Sequence, residues 1–176
     1  MLLNKLENKI ISIADLPRLR QEFKQENKKT VFTNGCFDLI HLGHIDYLME
    51  ARQLGNALIV GVNTDDSVRR LEKGASRPIK DENQRLIILS AFEFVDFVVL
   101  FNDDTPLRLI NELEPSILVK GGDYSPTQKD PNQKNYIVGS NEMITLGNRV
   151  QVIPFVSGYS TSKLEQKIIE AHKPNG

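Results

Sequence analysis

The sequence predicts an α/β domain built on a doubly wound, parallel, five-stranded sheet, and three observations carry that expectation. Ala57-Leu58-Ile59-Val60-Gly61-Val62-Asn63 and Phe97-Val98-Val99-Leu100-Phe101 are almost continuously apolar, as parallel strands covered on both faces must be. Segments with apolar residues at helical spacing alternate with these runs, and such alternation folds through right-handed strand–helix–strand crossovers. The clusters of chemically capable side chains fall just after predicted strands, where open parallel sheets bind their ligands.

Taken in order, residues 1–29 are expected to form a short lead and a helix packed on a domain spanning residues 30–172. Leu16, Leu19 and Phe23 place that helix at about Ile13 to Asn27. Thr30–Thr33 is the first strand. Ile45, Leu48 and Met49 mark the next helix, ending near Leu54-Gly55, where glycine is a natural residue just beyond a helix end. Ala57–Asn63 is the second strand. Arg85, Leu86, Ile87, Ile88, Leu89 and Phe92 outline a helix, and Phe97–Phe101 is the third strand. Thr105 is expected to cap a helix through Leu107, Leu109, Ile110 and Leu113, with Pro106 in its first position and Pro115 helping to stop it. Ile117–Val119 is the fourth strand. The polar stretch Ser125–Asn135 holds two prolines and reads as a surface loop, with a flap over the substrate as the alternative. A helix near Tyr136–Leu146, a fifth strand at Val150–Phe155 and a helix at Thr161–Ala171 complete the pattern.

Composition narrows the function. A chain of 176 residues that is 40% hydrophobic can bury one sizeable core. Net charge is −1 and the isoelectric point is about 6.3, which argues against a nucleic-acid partner. No apolar run approaches the ~20 residues of a membrane span, and the N-terminus lacks a signal-peptide core. A cytoplasmic enzyme is expected. A single cysteine excludes an intramolecular disulfide.

The most informative stretch is Asn34-Gly35-Cys36-Phe37-Asp38-Leu39-Ile40-His41-Leu42-Gly43-His44. It leads from the first strand into a helix, and two histidines three residues apart share one helix face. Gly43 leaves space between them, and Gly35 allows a tight turn. A helix start offers unpaired N–H groups and positive dipole charge to phosphate. Zinc fits less well: of three histidines, His172 lies in a polar tail, and Cys36 reads as a small buried residue. Gly158-Tyr159-Ser160-Thr161-Ser162 precedes another helix, where hydroxyls can cap the helix or meet phosphate oxygens. Arg77 and Arg85 are surface charges or anion ligands. Lys120, in Lys120-Gly121-Gly122-Asp123, puts a cation beside bare backbone at a strand end; an ion pair is the alternative. Asp38 can cap the helix or hold a histidine tautomer, and Asp65 can bind sugar hydroxyls.

Gly35-Cys36-Phe37-Asp38 with His41-Leu42-Gly43-His44 resembles the signature of the cytidylyltransferase-like nucleotidyltransferases. Val60 to Asp65, Ser76-Arg77-Pro78, Gln84-Arg85, Asp104-Thr105-Pro106, Leu118 to Tyr124 and Gly158 to Thr161 resemble one branch, the D-glycero-β-D-manno-heptose 1-phosphate adenylyltransferase family. The resemblance implies a Rossmann-like fold with a His-x-Gly-His motif. It also implies adenylyl transfer from ATP, with Mg²⁺, to heptose 1-phosphate. His41, His44, Lys120 and Arg85 would act on the phosphates. Thr33, Asn34, Gly35, Cys36, Phe37 and Gly43 would bind nucleotide after the first strand. Gly121, Gly122 and Asp123 would do so after the fourth strand, and Tyr159, Ser160, Thr161 and Ser162 after the last. Asp38, Asn63, Asp65, Arg77 and Lys120 would face the sugar phosphate. A homodimer and a functional link to a separate heptose 7-phosphate kinase are implied as well. Where cytidylyltransferases often carry Arg-Thr-Glu-Gly, this chain has Phe155-Val156-Ser157-Gly158, which argues against glycerol-3-phosphate cytidylyltransferase.

Overall fold

The strands of this chain are sorted by their own alternation. In the computed structural model, which describes residues 2–71, 77–122, 124–156 and 158–172, neighbouring residues on one strand feed two separate cores. Val31, Leu58, Val60, Val98 and Val119 join one core with Tyr47, Leu48 and Leu89. Phe32, Ile59, Val99 and Leu118 join the other with Leu16, Leu19, Leu109 and Leu113. A period of two with apolar residues on both faces gives a sheet covered by helices on each side.

The elements run α1 (Leu2–Glu7), β1 (Ile10–Ile11), a 3-10 turn (Ile13–Asp15), α2 (Leu16–Gln25), β2 (Thr30–Gly35), α3 (Leu42–Gln53), β3 (Ala57–Asn63) and α4 (Asp65–Arg70). They continue with α5 (Glu82–Ser90), β4 (Phe97–Phe101), α6 (Leu107–Leu113), β5 (Ile117–Gly121), α7 (Ser140–Thr145), β6 (Arg149–Ile153) and α8 (Thr161–Ala171). The sheet has six strands rather than the expected five, in the order β1-β4-β3-β2-β5-β6, and its paired strands are parallel. The extra strand is the two-residue β1, whose Ile10 and Ile11 register with Val98 and Val99 of β4. Lys9 fixes this edge: its Nζ donates to the carbonyls of Phe92 (2.9 Å) and Val95 (2.8 Å).

Other boundaries differ for local reasons. The helix expected from Ile13 is split into the 3-10 turn and α2, with the Ser12 N–H and Oγ both donating to the Asp15 carboxylate across the turn. Helix α4 was not anticipated; Thr64 caps it by accepting from the Ser67 N–H at 3.1 Å. Helix α6 starts one residue later than expected, with Pro106 in the cap position and no side-chain cap bond. Glu114 ends α6 in the left-handed region at φ 43°, just before Pro115, which disfavours continued helix at the preceding residue.

Beyond β2 the chain first builds outward through β3 and β4, then returns to place β5 on the other side of β2. The reversal lies between β2 and β5. In a doubly wound sheet the loops that leave these two strands diverge and open a crevice.

Candidate active site

The loop that leaves β2 enters that crevice in an unusual conformation. Phe37 adopts a left-handed backbone at φ 50°, which is uncommon for a bulky side chain and is found where surrounding structure enforces it. Its ring is buried, lies against Gly35 and approaches the His44 ring at 5.6 Å. A Cβ on Gly35 would stand 3.1 Å from that ring, so the glycine makes room for Phe37.

The two histidines meet at the start of α3. His41 is the extended cap residue and His44 lies in the first turn; the His44 N–H donates to the His41 carbonyl at 2.9 Å. Their rings are 4.0 Å apart, centroid to centroid. The Nδ1 of His41 is buried with no hydrogen-bond partner among the described residues. An orphaned nitrogen of this kind is costly unless a ligand satisfies it. Burial also lowers the His41 pKa below its ordinary value, which keeps the ring neutral near pH 7.

A cleft of about 730 Å³ opens beside this pair. The β2 loop contributes Asn34 to Asp38, and His44 and Tyr47 come from α3. Lys120 and Gly121 end β5 on the opposite side of the switch in strand order. Lys120 Nζ donates to Asn34 Oδ1 at 2.5 Å and lies 5.8 Å from the centre of the Tyr124 ring, so the cation bridges the two sides of the crevice. Thr161 and Ser162, at the start of α8, close one end. Ser160 serves as the cap of α8, accepting from the Lys163 N–H at 3.2 Å. The segment therefore caps its helix and presents hydroxyls to the cleft.

Several predicted residues stand behind the cleft wall. Thr33 Oγ1 is buried 2.6 Å from Tyr47 Oη. Gly43 is covered by His41 and Tyr159, which lie 3.1 and 3.4 Å from where its Cβ would be. Arg85, expected at the triphosphate, is fully buried. Its guanidinium donates to the carbonyls of Cys36 (2.8 Å) and Lys80 (3.1 Å) and to Asp65 Oδ1 (2.8 Å). These acceptors lie on the loop after β2, at the start of α4 and on the segment before α5, so Arg85 braces the site and Asp65 serves as its counter-charge. Asn63 lines the cleft, and its amide donates to Ser67 Oγ at 2.9 Å. Gly122 is left-handed at φ 80°, and with Gly121 it lies beneath the Phe155 ring. Asp123 and Ser76 lie outside the described residues.

Asp38 neither caps α3 nor touches a histidine in the described contacts. Its carboxylate accepts from the N–H groups of Ile79 (2.9 Å) and Lys80 (2.8 Å) and from Arg77 (2.8 Å). Burial opposes its charge, but these donors outweigh burial and hold the carboxyl below its usual pKa. Arg77 lines the cleft between Asp38 and Glu165, 2.8 Å from each carboxylate. Burial disfavours its charge as well, and the two carboxylates overcome that and raise its pKa.

Sequence reasoning missed part of the far wall: Tyr47, Val68, Lys134, Tyr136, Phe155 and Glu165 line the cleft too. Lys134 and Tyr136 arrive at the end of the polar loop, whose ends are joined by the Ser125 N–H donating to the Asn135 carbonyl at 2.9 Å. Tyr47 carried a signal, since it shares the helix face of His44, and Lys134 belongs to the stretch whose alternative reading was a flap over the substrate.

Comparison with known proteins places this geometry. Residues 32–167 match the family model described as cytidylyltransferase-like. The chain is 57% identical over 145 residues to the bifunctional protein HldE of Campylobacter jejuni (strain RM1221), covering 82% of this chain and 29% of that protein. It thus spans less than a third of this relative's length. Among solved structures it resembles the lipopolysaccharide core biosynthesis protein from Thermoplasma volcanium GSS1, with 31% identity and a TM-score of 0.57, covering 76% of this chain and 99% of that one. Pantoate-β-alanine ligase from Francisella tularensis shares the fold at 16% identity and a TM-score of 0.58, covering 92% of this chain and 77% of that one. The matched span runs from β2 into α8 and contains the paired histidines, the Lys120 bridge and the cleft-lining Thr161 and Ser162; the chain belongs to the cytidylyltransferase-like family of nucleotidyltransferases.

Proposed function

We propose that this chain transfers the adenylyl group of ATP to D-glycero-β-D-manno-heptose 1-phosphate, forming ADP-heptose and pyrophosphate for lipopolysaccharide core synthesis. The observation that carries the transfer chemistry is the close His41–His44 pair at the start of α3, with Lys120 fixed across the crevice on Asn34. The heptose and adenylyl parts are supported by the identity to HldE and by the lipopolysaccharide core biosynthesis protein among the structural neighbours.

The attacking sugar-phosphate oxygen is ionised at neutral pH, so the reaction needs no strong base. An oxygen–phosphorus bond forms at the α-phosphorus while the bond to pyrophosphate breaks in line. The barrier is anion repulsion and charge build-up, which aligned donors lower. Neutral His41 and neighbouring His44 donate hydrogen bonds to phosphate oxygens, and Lys120 supplies a compact positive charge. Thr161 and Ser162 steady the triphosphate, and Arg77 receives the acceptor phosphate. Arg85 acts indirectly by holding the β2 loop. Among the described residues no group of three His, Cys, Asp or Glu side chains is placed to hold a metal. Mg²⁺, when bound, would be held mainly by the triphosphate oxygens of the nucleotide and would ease the charge build-up there.

In the same reading the chain works as a cytoplasmic homodimer, and a heptose 7-phosphate kinase activity acts upstream of it. The test is pyrophosphate release with Mg²⁺, pairing ATP or CTP with heptose 1-phosphate or glycerol 3-phosphate. Release with ATP and heptose 1-phosphate alone is expected. Release with CTP and glycerol 3-phosphate would overturn the assignment of both substrates. In the productive pair, His44→Ala should lower kcat by at least ~100-fold, the scale of losing one positioned transition-state donor; near-normal turnover would remove His44 from the mechanism.

A further inference from the structure

The cleft holds a charge arrangement that anion binding cannot use as it stands. Arg77 lies between two carboxylates, with Nη1 2.8 Å from Asp38 and Nη2 2.8 Å from Glu165. Lys80 Nζ donates to the Asp38 carbonyl at 3.0 Å and offsets part of the negative charge, but both terminal guanidinium nitrogens are engaged by carboxylates at a place where an acceptor phosphate would have to enter. A phosphate reaches the guanidinium only if one carboxylate yields.

The two carboxylates are not equally anchored. Asp38 has a side chain only 3% exposed, and it is fixed by two backbone N–H groups as well as by Arg77. Glu165 is 30% exposed, and among the described residues its partner is Arg77. It sits on α8, an 11-residue helix that buries none of its side chains. Glu165 is the group that can move, and Arg77 keeps its orientation through Asp38 when it does.

We propose that Glu165 is a specificity-determining positioning residue: it occupies the anion-binding side of Arg77 while the acceptor is absent, and the acceptor phosphate displaces it. This inference rests on Arg77 being the acceptor-phosphate ligand. Its chemical consequence is selection. Inorganic phosphate brings only its charge to the exchange and competes poorly with a tethered carboxylate. A sugar phosphate adds hydroxyl contacts to the cleft and completes the exchange. Glu165 thereby weakens binding of the true acceptor somewhat and weakens binding of bare phosphate more usefully.

The experiment compares wild type, Glu165→Gln and Arg77→Gln by steady-state kinetics with heptose 1-phosphate and by inhibition with inorganic phosphate. Thermal melting of each variant verifies folding. Glu165→Gln should lower KM for the acceptor about two- to fivefold, the upper part of the range set by losing one partly exposed ion pair, and should change KM more than kcat. Inhibition by inorganic phosphate should tighten at least as much. Arg77→Gln should raise the acceptor KM. If Glu165→Gln raises KM, the carboxylate holds Arg77 for the substrate, and displacement is wrong. Unchanged KM and unchanged phosphate inhibition in Glu165→Gln also overturn it. An unaltered KM in Arg77→Gln would instead remove Arg77 as the phosphate ligand, a failure of the underlying reading distinguishable from the other two.

Discussion

Gly43 shows how a residue's role depends on what occupies the space beside it. Its spacing between two histidines reads as clearance for a ligand, but the structure fills that clearance with the His41 ring. A Cβ there would meet His41 Cε1 and Nδ1 at 3.1 Å and Tyr159 Cβ at 3.4 Å, so the imidazole would have to shift. The residue is in the first turn of α3, and its backbone is not left-handed, so alanine suits the helix better by up to about 1 kcal/mol. Gly43→Ala should therefore keep or raise the melting temperature while lowering kcat about tenfold or more, because small displacements of a catalytic group are costly. Equal activity in a folded variant would show that His41 tolerates the shift. The histidines themselves were legible from type and spacing. Arg85 was legible only as a cation: whether a guanidinium faces a cleft or a set of carbonyls depends on loops that no local pattern describes.

Elements with a long apolar signature were readable, and short ones were not. The seven residues of β3 are all buried and were recognised with their boundaries intact, as was α8. By contrast β1 has two residues and α4 six, too few for either to display a period. The evidence for α4 was a cap, Thr64 to Ser67, with acidic residues in the first turn and Arg69 and Arg70 in the last. Gly55 was read as the residue just beyond the end of α3, and it does follow the Leu54 cap, but without the positive φ that usually favours glycine there. Its requirement is steric: a Cβ would lie 2.7 Å from the Lys29 carbonyl oxygen and 2.7 Å from Val31 Cγ2. The carbonyl is backbone at the entry to β2 and cannot swing aside. Gly55→Ala should destabilise the protein by about 1–3 kcal/mol, the usual penalty for overpacking. Urea unfolding would measure it, and a midpoint equal to wild type would show that the α3–β3 turn can relax.

At the scale of the whole molecule, sequence order explains where the cleft lies but not which groups meet across it. The reversal between β2 and β5 brings Asn34 to Lys120, and the return of α8 brings Glu165 to Arg77; the members of each pair are distant in sequence and share no single motif. These long-range charges also set how stability responds to acid. The folded state lowers the His41 pKa through burial, so below about 6.5, the ordinary histidine value, the unfolded chain binds a proton more readily than the native one. Stability should rise with pH wherever the unfolded state holds more protons. The His41 contribution is then fully present above about 6.5 and declines as pH falls below it, until the folded ring also becomes protonated. Asp38 adds a second window at lower pH. Its folded pKa is depressed, so its contribution is intact above the ordinary aspartate value of about 3.9 and disappears as pH falls through the folded value. Melting temperature measured from pH 8 to pH 3 should therefore fall in two stages. His41→Gln cannot titrate and should flatten the upper stage while leaving the lower one. An unchanged upper stage in that variant would mean that another group, rather than the partly buried imidazole at the start of α3, carries the linkage.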